Sequence, residues 1–140
     1  MSKIAVVYWS GTGNTEAMAE AVLEGAKGAG AEAEIFKAAE FDTATVENYD
    51  AIAFGCPSMG SEQLEEDEFE PMFKACEPAL NGKKVGLFGS YGWGDGEWMR
   101  NWEETCVSDG AVMPSDFVIC NDAPDDDTLE ACKNLGASLN

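Results

Sequence analysis

The chain has 140 residues, 27 acidic against 8 basic side chains, a net charge of −19, five cysteines and no histidine. A length of this order suits one domain with a real core, so a single domain over residues 1–140 is expected. The charge excludes nucleic acid and anionic membrane as partners, since both would repel the surface.

The elements alternate in chain order. Lys3–Tyr8 is an apolar strand, and a helix is expected over 14–28 with Met18, Val22 and Ala26 on one face. A second, less apolar strand covers 32–37, and a wholly apolar third covers 51–55. A helix over 69–80 follows, then a fourth strand over 84–89 and a helix over 96–109 that carries Trp98, Trp102 and Cys106 in line. A fifth strand includes 117–120, where Pro114 just upstream marks a sheet edge, and a last helix covers 126–139. Continuous apolar strands between amphipathic helices predict a parallel five-stranded sheet covered on both faces, an open doubly wound α/β fold.

No apolar run is long enough to span a bilayer, and Met1-Ser2-Lys3 does not open a secretory signal, so the cytoplasm is the expected compartment. The odd cysteine count argues against a disulfide framework, and without a C-x-x-C pair there is little support for a metal or iron–sulfur site. All five cysteines are expected to act as small buried hydrophobes.

Such sheets take ligands beyond the carboxyl ends of their strands, where the strand order reverses. Three loops carry unusual chemistry there. After strand one, Tyr8-Trp9-Ser10-Gly11-Thr12-Gly13-Asn14-Thr15 sets two glycines among hydroxyl and amide side chains at the start of a helix. Free N–H groups at that start carry partial positive charge, so the segment predicts a phosphate cradle without a cation. Asn14 stands where a nucleotide hydrolase has its Lys, and Glu16 where a dinucleotide fingerprint has its third Gly; a single terminal phosphate fits better. Trp9 is expected to lie under the cradle.

After strand four, Ser90-Tyr91-Gly92-Trp93-Gly94-Asp95-Gly96 displays an indole between glycines, a wall for a flat ring. Tyr91 serves either as a second flat surface or as packing below. After strand three, Cys56-Pro57-Ser58-Met59-Gly60-Ser61-Glu62 offers Met59 to the opposite ring face, Gly60 to a turn that can flip, and Glu62 to a ring N–H. The acidic run Glu65, Glu66, Asp67, Glu68 and Glu70 both starts a helix and faces a partner.

One phosphate, a polar spacer and a flat heteroaromatic ring describe flavin mononucleotide. The motifs Tyr8–Thr15, Met59-Gly60 and 89–99 resemble those of short-chain flavodoxins, close to those of obligately anaerobic bacteria, and the likeness spans essentially the whole chain. The resemblance implies strand order 2-1-3-4-5, the order known for flavodoxin. It also implies an FMN site made by Ser10, Gly11, Thr12, Gly13, Asn14, Thr15, Pro57, Ser58, Met59, Gly60, Ser61, Glu62, Ser90, Tyr91, Gly92, Trp93 and Gly94. Ser10, Thr12, Asn14 and Thr15 would hold the phosphate with help from Ser90, and Met59 and Trp93 would flank the ring. The Gly60 carbonyl would turn toward flavin N5, and Glu62 would meet N3–H. Pro57 departs from relatives that place a phosphate-binding hydroxyl there, so that contact is expected to be missing.

The implied function is a low-potential one-electron carrier that shuttles between semiquinone and hydroquinone without substrate turnover of its own. Implied partners are redox enzymes with basic docking patches, of ferredoxin type, met by a monomer. A pyridine-nucleotide-dependent flavin enzyme would need a basic cluster that eight scattered cations do not form. A phosphoacceptor domain would need an Asp where Gly55-Cys56-Pro57 stands, and Arg100, the sole arginine, leaves a phosphatase without its loop.

Overall fold

A computed structural model describes residues 2–59 and 63–140. Its sheet holds β1 (Lys3–Tyr8), β2 (Glu32–Lys37), β3 (Ala51–Gly55), β4 (Lys84–Tyr91) and β5 (Val118–Asn121). All neighbours pair in parallel, in the order β2-β1-β3-β4-β5. Both the doubly wound fold and the strand order stand as expected.

The inner strands are buried on both sides because both alternating faces are apolar. Ile4, Val6 and Tyr8 of β1 pack beneath α1 (Asn14–Gly28) and α5 (Asp126–Ser138), together with Met18, Val22 and Leu135. Ala5 and Val7 point the other way, toward α2 (Thr43–Val46), α3 (Phe69–Cys76) and α4 (Glu97–Ser108), among Phe54, Phe69, Phe73 and Trp102. Phe69 and Phe73 meet the Trp102 indole edge-on at 5.4 and 5.6 Å between centroids. Trp98 and Trp102 are core residues, as their helical spacing predicts.

Several boundaries shift for physical reasons. The helix expected over 69–80 ends at Cys76 and tightens into a 3₁₀ turn, Glu77–Ala79, because Pro78 has no N–H to continue the α ladder. Strand β4 runs past Gly89 to Tyr91, where Ser90 and Tyr91 still pair with Cys120 and Asn121 of the edge strand. The connection after β2 contains a 3₁₀ turn, Ala38–Glu40, and the four-residue α2, capped by Asp42 accepting from the Thr45 N–H at 3.0 Å. That helix is too short for hydrophobic periodicity to announce it. Four cysteines are buried as expected, but Cys120 is half-buried, since β5 is an edge strand with one side uncovered. No helix among the described residues is long and apolar enough to cross a membrane.

Candidate functional site

Strand β1 leads to β2 on one side of it and lies against β3 on the other, so strand order reverses between β1 and β3. The loop after β1 curls at Gly13, whose φ of 95° places it in the left-handed region that glycine adopts without cost. Ser10 Oγ accepts the N–H groups of Gly13 and Glu16 at 3.1 and 3.3 Å, which ties the loop to the first turn of α1. Between them, the N–H groups of Asn14 and Thr15 take no acceptor among the described residues. They point a helix start toward open space.

Behind the loop lie two buried hydroxyls, of which Ser90 lines the groove described below. Thr15 Oγ1 lies 3.4 Å from Ser90 Oγ and accepts the Ser90 N–H at 3.4 Å. The Trp9 indole lies under the loop as expected: a methyl group on Gly11 would meet its ring at 3.1 Å. Trp9 Nε1 donates to Glu68 Oε1 at 3.0 Å, which links the cradle to the start of α3.

Ser58 binds the end of β4, its N–H donating to the Ser90 carbonyl at 3.1 Å. This brings the loops after β1, β3 and β4 around a groove of about 230 Å³. Trp9, Gly11, Thr12 and Asn14 form one wall; Pro57, Ser58 and Met59 form another; Ser90, Tyr91 and Gly92 close it. Ser58 Oγ is buried and has no hydrogen-bond partner among the described residues, a group that a ligand acceptor would satisfy. None of the described residues lining the groove is Lys or Arg. Volume does not select this site, because a hollow of about 480 Å³ beside Glu103, Glu104 and Val107 is larger; donor chemistry does.

Tyr91 lines the groove and also packs below it, its ring 5.5 Å from that of Trp98. Trp93 is displayed as its glycine neighbours predict, 61% exposed, but it stands outside the groove walls. Gly94, at φ 87°, lies in its loop, and the ion pair of Arg100 with Asp95 at 3.1 Å ties that loop to α4. Met59 exchanges two backbone hydrogen bonds with Gln63, both 2.8 Å. The roles expected for Gly60, Ser61 and Glu62 fall outside the described residues.

One residue of this region escaped the sequence reading, and a second was named only as one of an acidic run that caps a helix and faces a partner. Asp122, at the carboxyl end of β5, holds φ 58°, donates its N–H to the Tyr91 carbonyl at 2.8 Å and lines the groove. The rule that singled out the other loops applies equally to the Asn121-Asp122 turn. Glu65 is the other: within the acidic run it alone is buried, and its carboxylate accepts the N–H groups of Asp67, Glu68 and Phe69 at 2.8, 2.7 and 2.8 Å. Glu is a poor capping residue by preference, which hid it. Burial works to raise its carboxyl pKa, and the three donors outweigh burial and hold it below the ordinary range.

Tyr8, at the cradle's other side, is pushed up to about 12 by burial, by its 2.9 Å bond to Glu16 and by nearby carboxylates, so it remains a proton donor. Burial likewise pushes the Cys56 thiol up, leaving it un-ionised. The described residues contain no cluster of three or more His, Cys, Asp or Glu side chains able to hold a metal ion.

The sequence profile of the flavodoxin family matches residues 6–136. The flavodoxin of Megasphaera elsdenii is 47% identical over 133 residues, 95% of each chain, and that of Clostridium beijerinckii 44% identical over 134 residues, 96% of each. Among solved structures, the solution structure of two-electron reduced Megasphaera elsdenii flavodoxin superposes with a TM-score of 0.89 at 46% identity, covering 97% of both chains. A flavodoxin from the domain Archaea superposes at 0.85 with 27% identity, covering 98% of this chain and 95% of its own.

Proposed function

We propose, from the premise that the chain belongs to the flavodoxin family, that it forms a single FMN-binding domain and acts as a low-potential one-electron carrier. It would pass electrons to redox enzymes and turn over no substrate of its own. Bound FMN supplies a ring that takes up electrons one at a time. The observation that carries the reading is the donor set among the described residues: two N–H groups at Asn14 and Thr15 without an acceptor, buried hydroxyls at Thr15 and Ser90, and the unpartnered Ser58 hydroxyl. It suits a phosphate and offers nothing to a metal.

In this reading Ser10, Gly11, Thr12, Gly13, Asn14 and Thr15 hold the phosphate. Ser10 shapes the loop from within, since its hydroxyl is engaged by Gly13 and Glu16. Ser90 and Ser58 add hydroxyls from the neighbouring strands. Met59 and Trp93 flank the ring, with Pro57, Tyr91, Gly92 and Gly94 along its edge. Gly60 and Ser61 would supply the turn facing N5, and Glu62 the acceptor for N3–H.

Binding an anion in a protein of charge −19 is a matter of range. Each hydrogen bond to a charged group contributes about 1.5–3 kcal/mol. A carboxylate ~10 Å off in water opposes by about 0.4 kcal/mol before screening. Near donors outweigh distant charge for the phosphate, while the same charge disfavours the extra electron on the ring and makes the carrier a stronger reductant. Partners would present basic docking patches to this acidic surface, and the chain would meet them as a cytoplasmic monomer.

The test is calorimetry of the purified protein with FMN and with riboflavin. One-site saturation by FMN, with riboflavin at least about tenfold weaker, is expected from the loss of one or more phosphate bonds. A folded sample that FMN does not saturate rules the reading out.

A further inference from the structure

Trp9 leaves the carboxyl end of β1 and opens the cradle loop. Its backbone is fixed by the sheet, the N–H donating to the Gly55 carbonyl of β3 at 3.0 Å. Its side chain is held at two opposite ends. The benzo end lies against Gly11, where a methyl group would come within 3.1 Å of Cη2 and 3.3 Å of Cζ3. At the pyrrole end Nε1, the ring's one polar atom, donates to Glu68 Oε1 at 3.0 Å. An indole is a rigid plane, so whatever fixes one end of it also places the other.

The indole borders two hollows. One is the groove, whose wall it shares with Gly11, Thr12 and Asn14. The other is a hollow of about 410 Å³ that it shares with Tyr8, Ser10, Lys37 and Glu68. Packing alone does not keep a half-buried ring beside open space in one place, and the bond to Glu68 supplies the direction that packing lacks. Glu68 has no competing task. It stands at the cap position of α3 yet makes no side-chain cap bond, and among the described residues no cation pairs with it. It is not one of the described walls of the groove, so its route to anything bound there runs through Trp9.

We propose that Glu68 is a positioning residue for the phosphate cradle: by holding Trp9 Nε1 it keeps the indole beneath Gly11, and so strengthens the preference for a phosphate-bearing flavin over riboflavin. This rests on the FMN reading above. The proposal has a sign that charge alone cannot produce. An exposed carboxylate opposes a nearby phosphate, so if Glu68 acted only by its charge, removing it would tighten FMN. If Glu68 acts as a strut, removing it loosens FMN. Glu68→Ala removes both charge and strut, whereas Glu68→Gln removes the charge and keeps an acceptor oxygen on a side chain of the same length.

The experiment titrates the wild type, Glu68→Ala and Glu68→Gln with FMN and with riboflavin. Glu68→Ala is expected to weaken FMN by about threefold to tenfold, the worth of one exposed hydrogen bond, and riboflavin by less than about twofold. Glu68→Gln should stay within about twofold of the wild type for both ligands, since a screened surface charge adds little. Tighter FMN binding in both variants makes Glu68 a surface charge and overturns the proposal. Equal loss of FMN and riboflavin in Glu68→Ala also overturns it, as does a Glu68→Gln no better than Glu68→Ala. A second arm needs no cofactor. In proton–nitrogen spectra of the flavin-free protein, Glu68→Ala should shift both the Trp9 indole N–H and the Gly11 amide, and Glu68→Gln should return the Gly11 amide toward its wild-type position. A Trp9 shift that leaves Gly11 in place means that the strut ends at the ring, and overturns the proposal. A wild type that takes up no FMN defeats the functional reading, while the Gly11 resonance still judges the strut.

Discussion

At the start of α1 the N–H groups of Asn14 and Thr15 have no acceptor among the described residues, whereas at the start of α3 the Glu65 carboxylate accepts three N–H groups. Both are helix starts beyond the carboxyl end of an inner strand, and the same physics makes both favourable to an anion. One is filled from within; the other is open, as the proposed phosphate site requires. The chain thus distinguishes structure from binding by where it spends its carboxylates, and the cradle is recognisable by valences left over rather than by any residue type.

The largest effect should come from the floor both regions share. A methyl group on Gly89 would press against the Cys56 carbonyl oxygen, where β3 and β4 approach each other. Gly89→Ala should cost on the order of 3 kcal/mol in thermal or urea unfolding, because backbone cannot give way as a side-chain tip can. Gly92→Ala, whose nearest neighbour would be Asp122 Oδ1 at 3.8 Å, should leave the melt nearly unchanged. Similar melts for the two would mean the floor yields, and the two regions are not held in common.

Thr15→Val should separate them. It keeps the buried shape of Thr15 and removes the hydroxyl that meets Ser90. FMN affinity should fall by tenfold or more, about 1.5–3 kcal/mol, with riboflavin affinity changed little, as two fluorescence titrations would report. Trp93→Ala should act at the other end and more weakly. Its ring is mostly exposed, so a stacking loss of about 1 kcal/mol should weaken FMN and riboflavin by the same factor. Equal weakening of FMN and riboflavin by Thr15→Val would place the hydroxyl at the ring instead of the phosphate.

The contrast also marks what was legible in the sequence. The strands and long helices follow from hydrophobic period, and β1, α1, β2 and β3 begin and end where the pattern does. The cradle is legible because it is contiguous: Ser10 to Thr15 lie side by side in the chain and act side by side. Contacts made across the sheet are not. That Ser90 would lie under Thr15, or that Ser58 would bind the end of β4, depends on register between strands. Glu65 sits in a run of carboxylates that look alike, and only packing shows which one the fold buries. Asp122 adopts a backbone conformation unusual for a residue with a side chain, which no composition announces.

Acid should divide the two helix starts with the smallest effect. Glu65 titrates below its ordinary value in the fold, so the stability its charge provides is present above about 4.5 and is lost as pH falls through the folded value. Asp42 and Asp125, held low by their bonds to Thr45 and Thr128, lose theirs in the same direction. Glu77 runs the other way: burial first, then Asp109, pushes it up to about 7, so its contribution is full at acid pH and fades as pH rises through that value. The cradle, built from hydroxyl and amide groups, adds no slope. In urea unfolding between pH 3 and 6, Glu65→Gln should therefore flatten the dependence by a fraction of the ~1.4 kcal/mol per pH unit that one whole proton carries, and Thr15→Val should not change it. An unaltered slope in Glu65→Gln would mean that the three N–H groups hold a protonated acid, and that the helix start of α3 contains no anion after all.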